Sequence, residues 1–113
     1  MRIEFASRRL EKEFNERSAL VKAYGDQMAR RIMMRLAVLK NAPTLADVPT
    51  VPPERCHQLG QDRDEQFAVD LSHPYRLVFV VADDPTPRKP DGGIDLAAVK
   101  AVRILEVVDY HGR

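Results

Sequence analysis

The chain predicts an α+β fold, a helical hairpin packed on a mainly antiparallel sheet. Three observations predict it. Apolar residues recur at helical spacing over residues 8–41. A proline-bearing connector follows over residues 42–54. Beyond residue 55 the apolar period falls to two or the run becomes continuous, which is strand patterning.

The elements follow in order. Arg2-Ile3-Glu4-Phe5-Ala6 alternates polar and apolar and reads as a short strand. Ser7 is a good helix N-cap, and Leu10, Phe14, Val21 and Tyr24 then share a helical face. Gly25 stops that helix and Asp26 caps a second. Met28, Ile32, Leu36 and Leu39 line one face of residues 27–41. Arg30, Arg31 and Arg35 lie off the stripe and read as a solvated face. The short Gly25-Asp26 joint makes the helices antiparallel.

Pro43, Pro49, Pro52 and Pro53 keep the connector extended. Arg55 to Leu59 reads as a strand. Gln66 to Leu71 alternates, with Phe67, Val69 and Leu71 on one side. Ser72-His73-Pro74 is a turn, and the apolar run from Tyr75 to Ala82 marks a central strand. Residues 83–93 carry Pro85, Pro87, Pro90, Gly92 and Gly93 and are expected to form a mobile loop. Residues 99–110 are the last strand.

The 113 residues, 44% of them hydrophobic, fit a single domain over residues 1–113 with its own core. The net charge is +1, so a regulator that binds nucleic acid through a broad basic surface is disfavoured, although residues 1–40 are net basic. With no tryptophan and 6% aromatics, a base-stacking platform is disfavoured too. The single cysteine, Cys56, forms no disulfide within the chain and suits a reducing cytoplasm. No apolar run has membrane-spanning length and no secretory leader is visible, so the expectation is a cytoplasmic protein with no membrane partner. One cysteine with scattered histidines lacks zinc spacing. Gly92-Gly93 lacks the Lys-Ser/Thr of a phosphate loop. No metal and no small-molecule cofactor are expected.

The chemistry-bearing residues are few. Asp109, Tyr110 and His111 follow the apolar run 101–108. Alternation turns Asp109 and His111 one way and Tyr110 the other. A carboxylate and an imidazole on a strand end make a proton-transfer pair. His57 heads another strand-like segment. Taken singly, each has a plainer reading: His57 as a surface or capping histidine, Arg76 as a surface arginine opposite Asp70, His73 as a turn residue, and the last residues as a solvated terminus.

Three segments together resemble a known family. Arg55-Cys56-His57-Gln58-Leu59-Gly60 is similar to an Arg-x-His-x-Leu segment. Phe67-Ala68-Val69-Asp70-Leu71, a turn, and Tyr75-Arg76-Leu77-Val78-Phe79 are similar to a strand–turn–strand unit ending in aromatic-Arg-aliphatic-x-aromatic. Asp109-Tyr110-His111 matches a C-terminal Asp-Tyr-His. In this order, after a helical hairpin, they resemble the RelE/ParE superfamily of toxins from bacterial toxin–antitoxin pairs, most closely its HigB branch.

The resemblance implies a curved sheet and a ribosome-dependent endoribonuclease that cuts mRNA and is neutralised by a cognate antitoxin. Partners are then the antitoxin, the ribosome and mRNA. It further implies His57, Asp109, Tyr110 and His111 as catalytic positions and Arg76 as the phosphate-binding arginine. Two features depart from it. Gly60-Gln61-Asp62 replaces a basic residue often found after the leucine, with Arg63 as the substitute amid Asp62, Asp64 and Glu65. Loop 83–93 is long for the family. The near-neutral charge and the acidic turn 62–65 favour the alternative, a non-catalytic binder of the same fold such as a gyrase-directed toxin. Which histidine is acid and which base stays open.

Overall fold

The computed structural model describes residues 1–109. Its elements are β1 (Arg2–Phe5), α1 (Arg8–Asn15), α2 (Arg17–Tyr24), α3 (Asp26–Asn41), β2 (His57–Gln58), β3 (Gln66–Asp70), β4 (Tyr75–Val81) and β5 (Ala101–Asp109). The strands form a five-stranded sheet in the order β1-β5-β4-β3-β2. β1 runs parallel to β5, and every other neighbouring pair is antiparallel. The fold is therefore α+β with a mixed sheet. No helix of the described residues is long and apolar enough to cross a membrane.

The sheet has two unlike faces because strand side chains alternate. Phe67, Val69, Leu77, Phe79, Val102 and Ile104 point to the helices and are buried with Leu20, Ile32 and Leu39. The rings of Phe67 and Phe79, paired across β3 and β4, stack with centroids 5.8 Å apart. Glu4, Arg103, Gln66, Glu106, Asp70 and Arg76 occupy the other face by register. Arg63 reaches across that face, donating from Nη1 to Gln66 Oε1 at 2.9 Å and to Glu106 Oε2 at 3.0 Å. In the same region Ala68 and Val78 are wholly buried. A bulge in β5 beside Val78 and Phe79 leaves Leu105 as the extra residue.

Ser7 caps α1 through its hydroxyl, which accepts from the Leu10 N–H at 3.0 Å. The helix expected to run on to Tyr24 is broken, so the hairpin has three helices rather than two. Glu16 is extended (φ −122°, ψ 118°) and closes α1 while opening α2. The reason lies in packing. Phe14 and Leu20 are both buried. On one straight helix they would lie about 120° apart and could not both face a single core. The break lets Phe14 meet Phe5 and Tyr24 edge-on while Leu20 enters the centre. Gly25, at φ 84°, turns the chain into α3.

Three further expectations are corrected. Arg35 is not on a solvated face: it is 2% exposed. It lies at i+3 from Ile32 and i−4 from Leu39, on the buried stripe itself. The strand expected over residues 55–59 shrinks to two residues. Arg55 adopts a left-handed φ of 46°, which no strand accommodates, and a 3-10 turn begins at Gln61. Loop 83–93 is anchored rather than loose. Arg88 pairs with Ile94 in a backbone bridge and forks onto Glu65 at 2.7 and 2.9 Å. The Asp83 carboxylate accepts the Lys100 and Ala101 N–H groups at 3.0–3.1 Å.

Candidate active site

The β3–β4 hairpin brings Asp70 and Arg76 together as its last register pair before the turn. Arg76 Nε lies 3.3 Å from Asp70 Oδ1. Arg55, arriving from the connector, places Nη1 3.4 Å from Asp70 Oδ2. One carboxylate thus stands between two guanidinium groups. They border a cleft of about 340 Å³ that Tyr75 and His73 also line. Arg35 supports the cleft from inside the fold. Its Nε donates to the Asp70 carbonyl at 2.6 Å and its Nη2 to the Pro53 carbonyl at 3.4 Å.

His57 sits on β2 opposite Ala68, half-buried. Its Nδ1 lies 2.7 Å from the carbonyl oxygen of Arg55. A carbonyl only accepts, so Nδ1 carries the proton and the lone pair resides on Nε2. That is the tautomer a proton acceptor needs, held by backbone. The left-handed turn at Arg55 is what aims its carbonyl at the imidazole while its side chain goes to Asp70. Gln61 (φ 56°) and Glu65 (φ 61°) are also left-handed, so non-glycine strain gathers around β2.

The register fixes which expected residues meet. His57 pairs with Ala68, Asp70 lies two residues further on β3, and Asp70 pairs with Arg76, so His57 and Arg76 share the polar face. Asp109 pairs with Tyr75, one step beyond the Val108–Arg76 pair, and so belongs to the opposite face from Arg76. Three strand spacings, about 14 Å, separate β5 from β2. His57 and Asp109 are therefore not a directly bonded proton pair. Tyr110 and His111 lie outside the described residues. Arg63, the substitute phosphate contact, is engaged by Gln66 and Glu106.

Sequence reasoning missed Arg55 and Arg35 as members of this region. A signal existed for both: Arg55 opens the Arg-x-His segment, and Arg35 interrupts an apolar stripe. Cys56, beside His57, is buried, and burial pushes its thiol up to about 11. It stays protonated near neutrality and is no nucleophile there. Among the described residues no group of three His, Cys, Asp or Glu is placed to hold a metal. In the acidic turn, the hydrogen bond from Arg88 holds the Glu65 carboxyl below the usual carboxylate range, so its charge is matched.

No protein-family model matches the sequence, and no curated protein matches it as a relative.

Proposed function

We propose that the chain is a HigB-like toxin of the RelE/ParE type. In this reading it is a metal-independent endoribonuclease that cuts ribosome-bound mRNA and is restrained by a cognate antitoxin. The observation that carries the reading is His57, tautomer fixed by the Arg55 carbonyl, on the same sheet face as the Arg55–Asp70–Arg76 cluster.

The chemistry follows from these groups. RNA is cut when its 2′-hydroxyl attacks the adjacent phosphorus and the 5′-oxygen leaves. His57 Nε2 takes the hydroxyl proton, which makes it the base. Arg76 stabilises the charge that gathers on the phosphate oxygens, for which a planar fork is suited. The departing 5′-oxygen needs a proton, and the Asp109-Tyr110-His111 end supplies it. Both oxygens flank one phosphorus, so that donor must reach the same phosphate as His57, and in this reading His111 takes the role. The ribosome delivers the strand in a fixed path.

A ribosome-programmed mRNA incubated with purified protein tests this. Wild type should cut, and His57→Ala, equally folded, should cut about 10²–10⁴-fold more slowly. Equal rates would remove His57 from the mechanism.

A second reading, a non-catalytic binder of the same fold, draws on one observation. Arg63, which would approach RNA, is held by Glu106 and Gln66 on the sheet face. It predicts no cut mRNA from either protein.

A further inference from the structure

We propose that the Arg55–Asp70–Arg76 cleft is a phosphate-binding site gated by Asp70, whose carboxylate occupies the place of a phosphate oxygen. The ligand is a phosphodiester of single-stranded RNA. The inference rests on the nuclease reading for the identity of that ligand, but not for the site.

The carboxylate is held by charge more than by hydrogen bonds. Its contacts to Arg76 and Arg55 are 3.3 and 3.4 Å, longer than the roughly 2.7–2.9 Å of a formed charge-assisted bond. Asp70 Oδ1 is buried and accepts no hydrogen bond among the described residues. The Arg55 fork is therefore not consumed by Asp70, and its side chain remains 55% exposed. A phosphate, with more acceptor oxygens and more charge, competes for the same position.

Arg35 biases the competition. It is a buried cation whose described partners are two backbone carbonyls, not a carboxylate. A guanidinium in that setting is poorly screened and projects its charge onto the neighbouring cleft. Among the described residues, the exposed Arg55 and the buried Arg35 thus add positive charge beside the Asp70 carboxylate, which favours an anion. Tyr75, 37% exposed at the rim, offers a ring against which a base adjoining the phosphate stacks. The volume, about 340 Å³, suits a single nucleotide unit.

The left-handed backbone at Arg55 ties this site to His57. The same residue sends its side chain to the phosphate position and its carbonyl to the imidazole. A phosphate seated on Arg55 is thereby registered against the base. Backbone strain of order 1–3 kcal/mol at a non-glycine residue persists where the surroundings hold it. Here the Arg55 N–H donates to the Val51 carbonyl at 2.9 Å and its own carbonyl accepts from His57.

The test is equilibrium binding, without ribosomes, of inorganic phosphate and of a short oligoribonucleotide at low salt. The Asp70 backbone makes the fold's contacts, to Glu54 and Arg35, so its side chain is replaceable. Asp70→Asn, with Asp70→Ser as the second variant, should bind both probes roughly three- to tenfold more tightly than wild type. Arg55→Gly should bind them roughly tenfold more weakly, at an unchanged or higher melting temperature. Weaker or equal binding by both Asp70 variants overturns the gate. Unchanged binding by Arg55→Gly overturns the site. This pattern without any mRNA cleavage upholds the site and fells the nuclease reading. Cleavage without the pattern does the reverse.

Discussion

The carbonyl oxygen of Arg55 lies 2.7 Å from Nδ1 of His57 and fixes which ring nitrogen holds the proton. A histidine two residues along an ordinary strand would point away from that carbonyl. The contact exists because Arg55 takes a left-handed φ of 46°. A local backbone choice thus sets the protonation pattern of the proposed base. Nitrogen-15 spectra of the neutral imidazole should report a protonated Nδ1 and a bare Nε2. The opposite tautomer would contradict the geometry.

The same backbone choice predicts a stability difference between two variants that both lack the guanidinium. Arg55→Gly should be more stable than Arg55→Ala by about 1 kcal/mol, because only glycine enters the left-handed region without steric cost. Urea unfolding of the two proteins gives the difference. Equal midpoints would mean that the φ at residue 55 is not held in solution.

The clasp between loop 83–93 and the acidic turn should be visible in pH dependence. Arg88 lowers the Glu65 carboxyl below its usual value of 4.5. A carboxyl whose folded value is depressed adds stability above its unfolded value and loses it as pH falls through the folded one. Melting temperatures of wild type and Glu65→Gln should therefore differ by a constant amount above pH 5. The gap should close as pH falls below about 4. The pair is exposed, so the gap will be small and will shrink with salt. A gap that widens in acid would reverse the sign.

Cys56 should be chemically quiet while the protein is folded. Its thiol is buried and pushed up to about 11 by that burial. Iodoacetamide at pH 8 should label the native protein far more slowly than the urea-unfolded protein, as followed by intact mass. Rapid native labelling would show the thiol to be exposed.

Much of the sheet was legible because its signals are local. Phe67, Val69 and Leu71 alternate, and the run from Tyr75 to Ala82 has no reason to be so apolar outside a central strand. The parallel pairing of β1 with β5 has no local signal, since it joins residues at opposite ends of the chain. The break at Glu16 was hidden because Leu10, Phe14, Val21 and Tyr24 satisfy one continuous helical stripe. Only the burial of Leu20 shows that one face was not enough.

The candidate site divides in the same way. His57 and Arg76 stood out only through the resemblance of their segments to a known family, and the register places them on one face. Asp109 pairs with Tyr75 and so lies on the other face, three strands from His57, while His111, the imidazole expected beside it, lies outside the described residues. Alternation within one strand is local, whereas the distance between strands depends on sheet order. Arg35 was misread because its charge outweighed its position on the stripe.

The nuclease is tested most directly by growth after induced expression without antitoxin, wild type beside His111→Ala, with primer extension on a translated reporter mRNA. Wild type should arrest growth and leave new 5′ ends within translated regions. His111→Ala should accumulate folded and do neither. Arrest with intact mRNA, or no arrest at all, would contradict the nuclease.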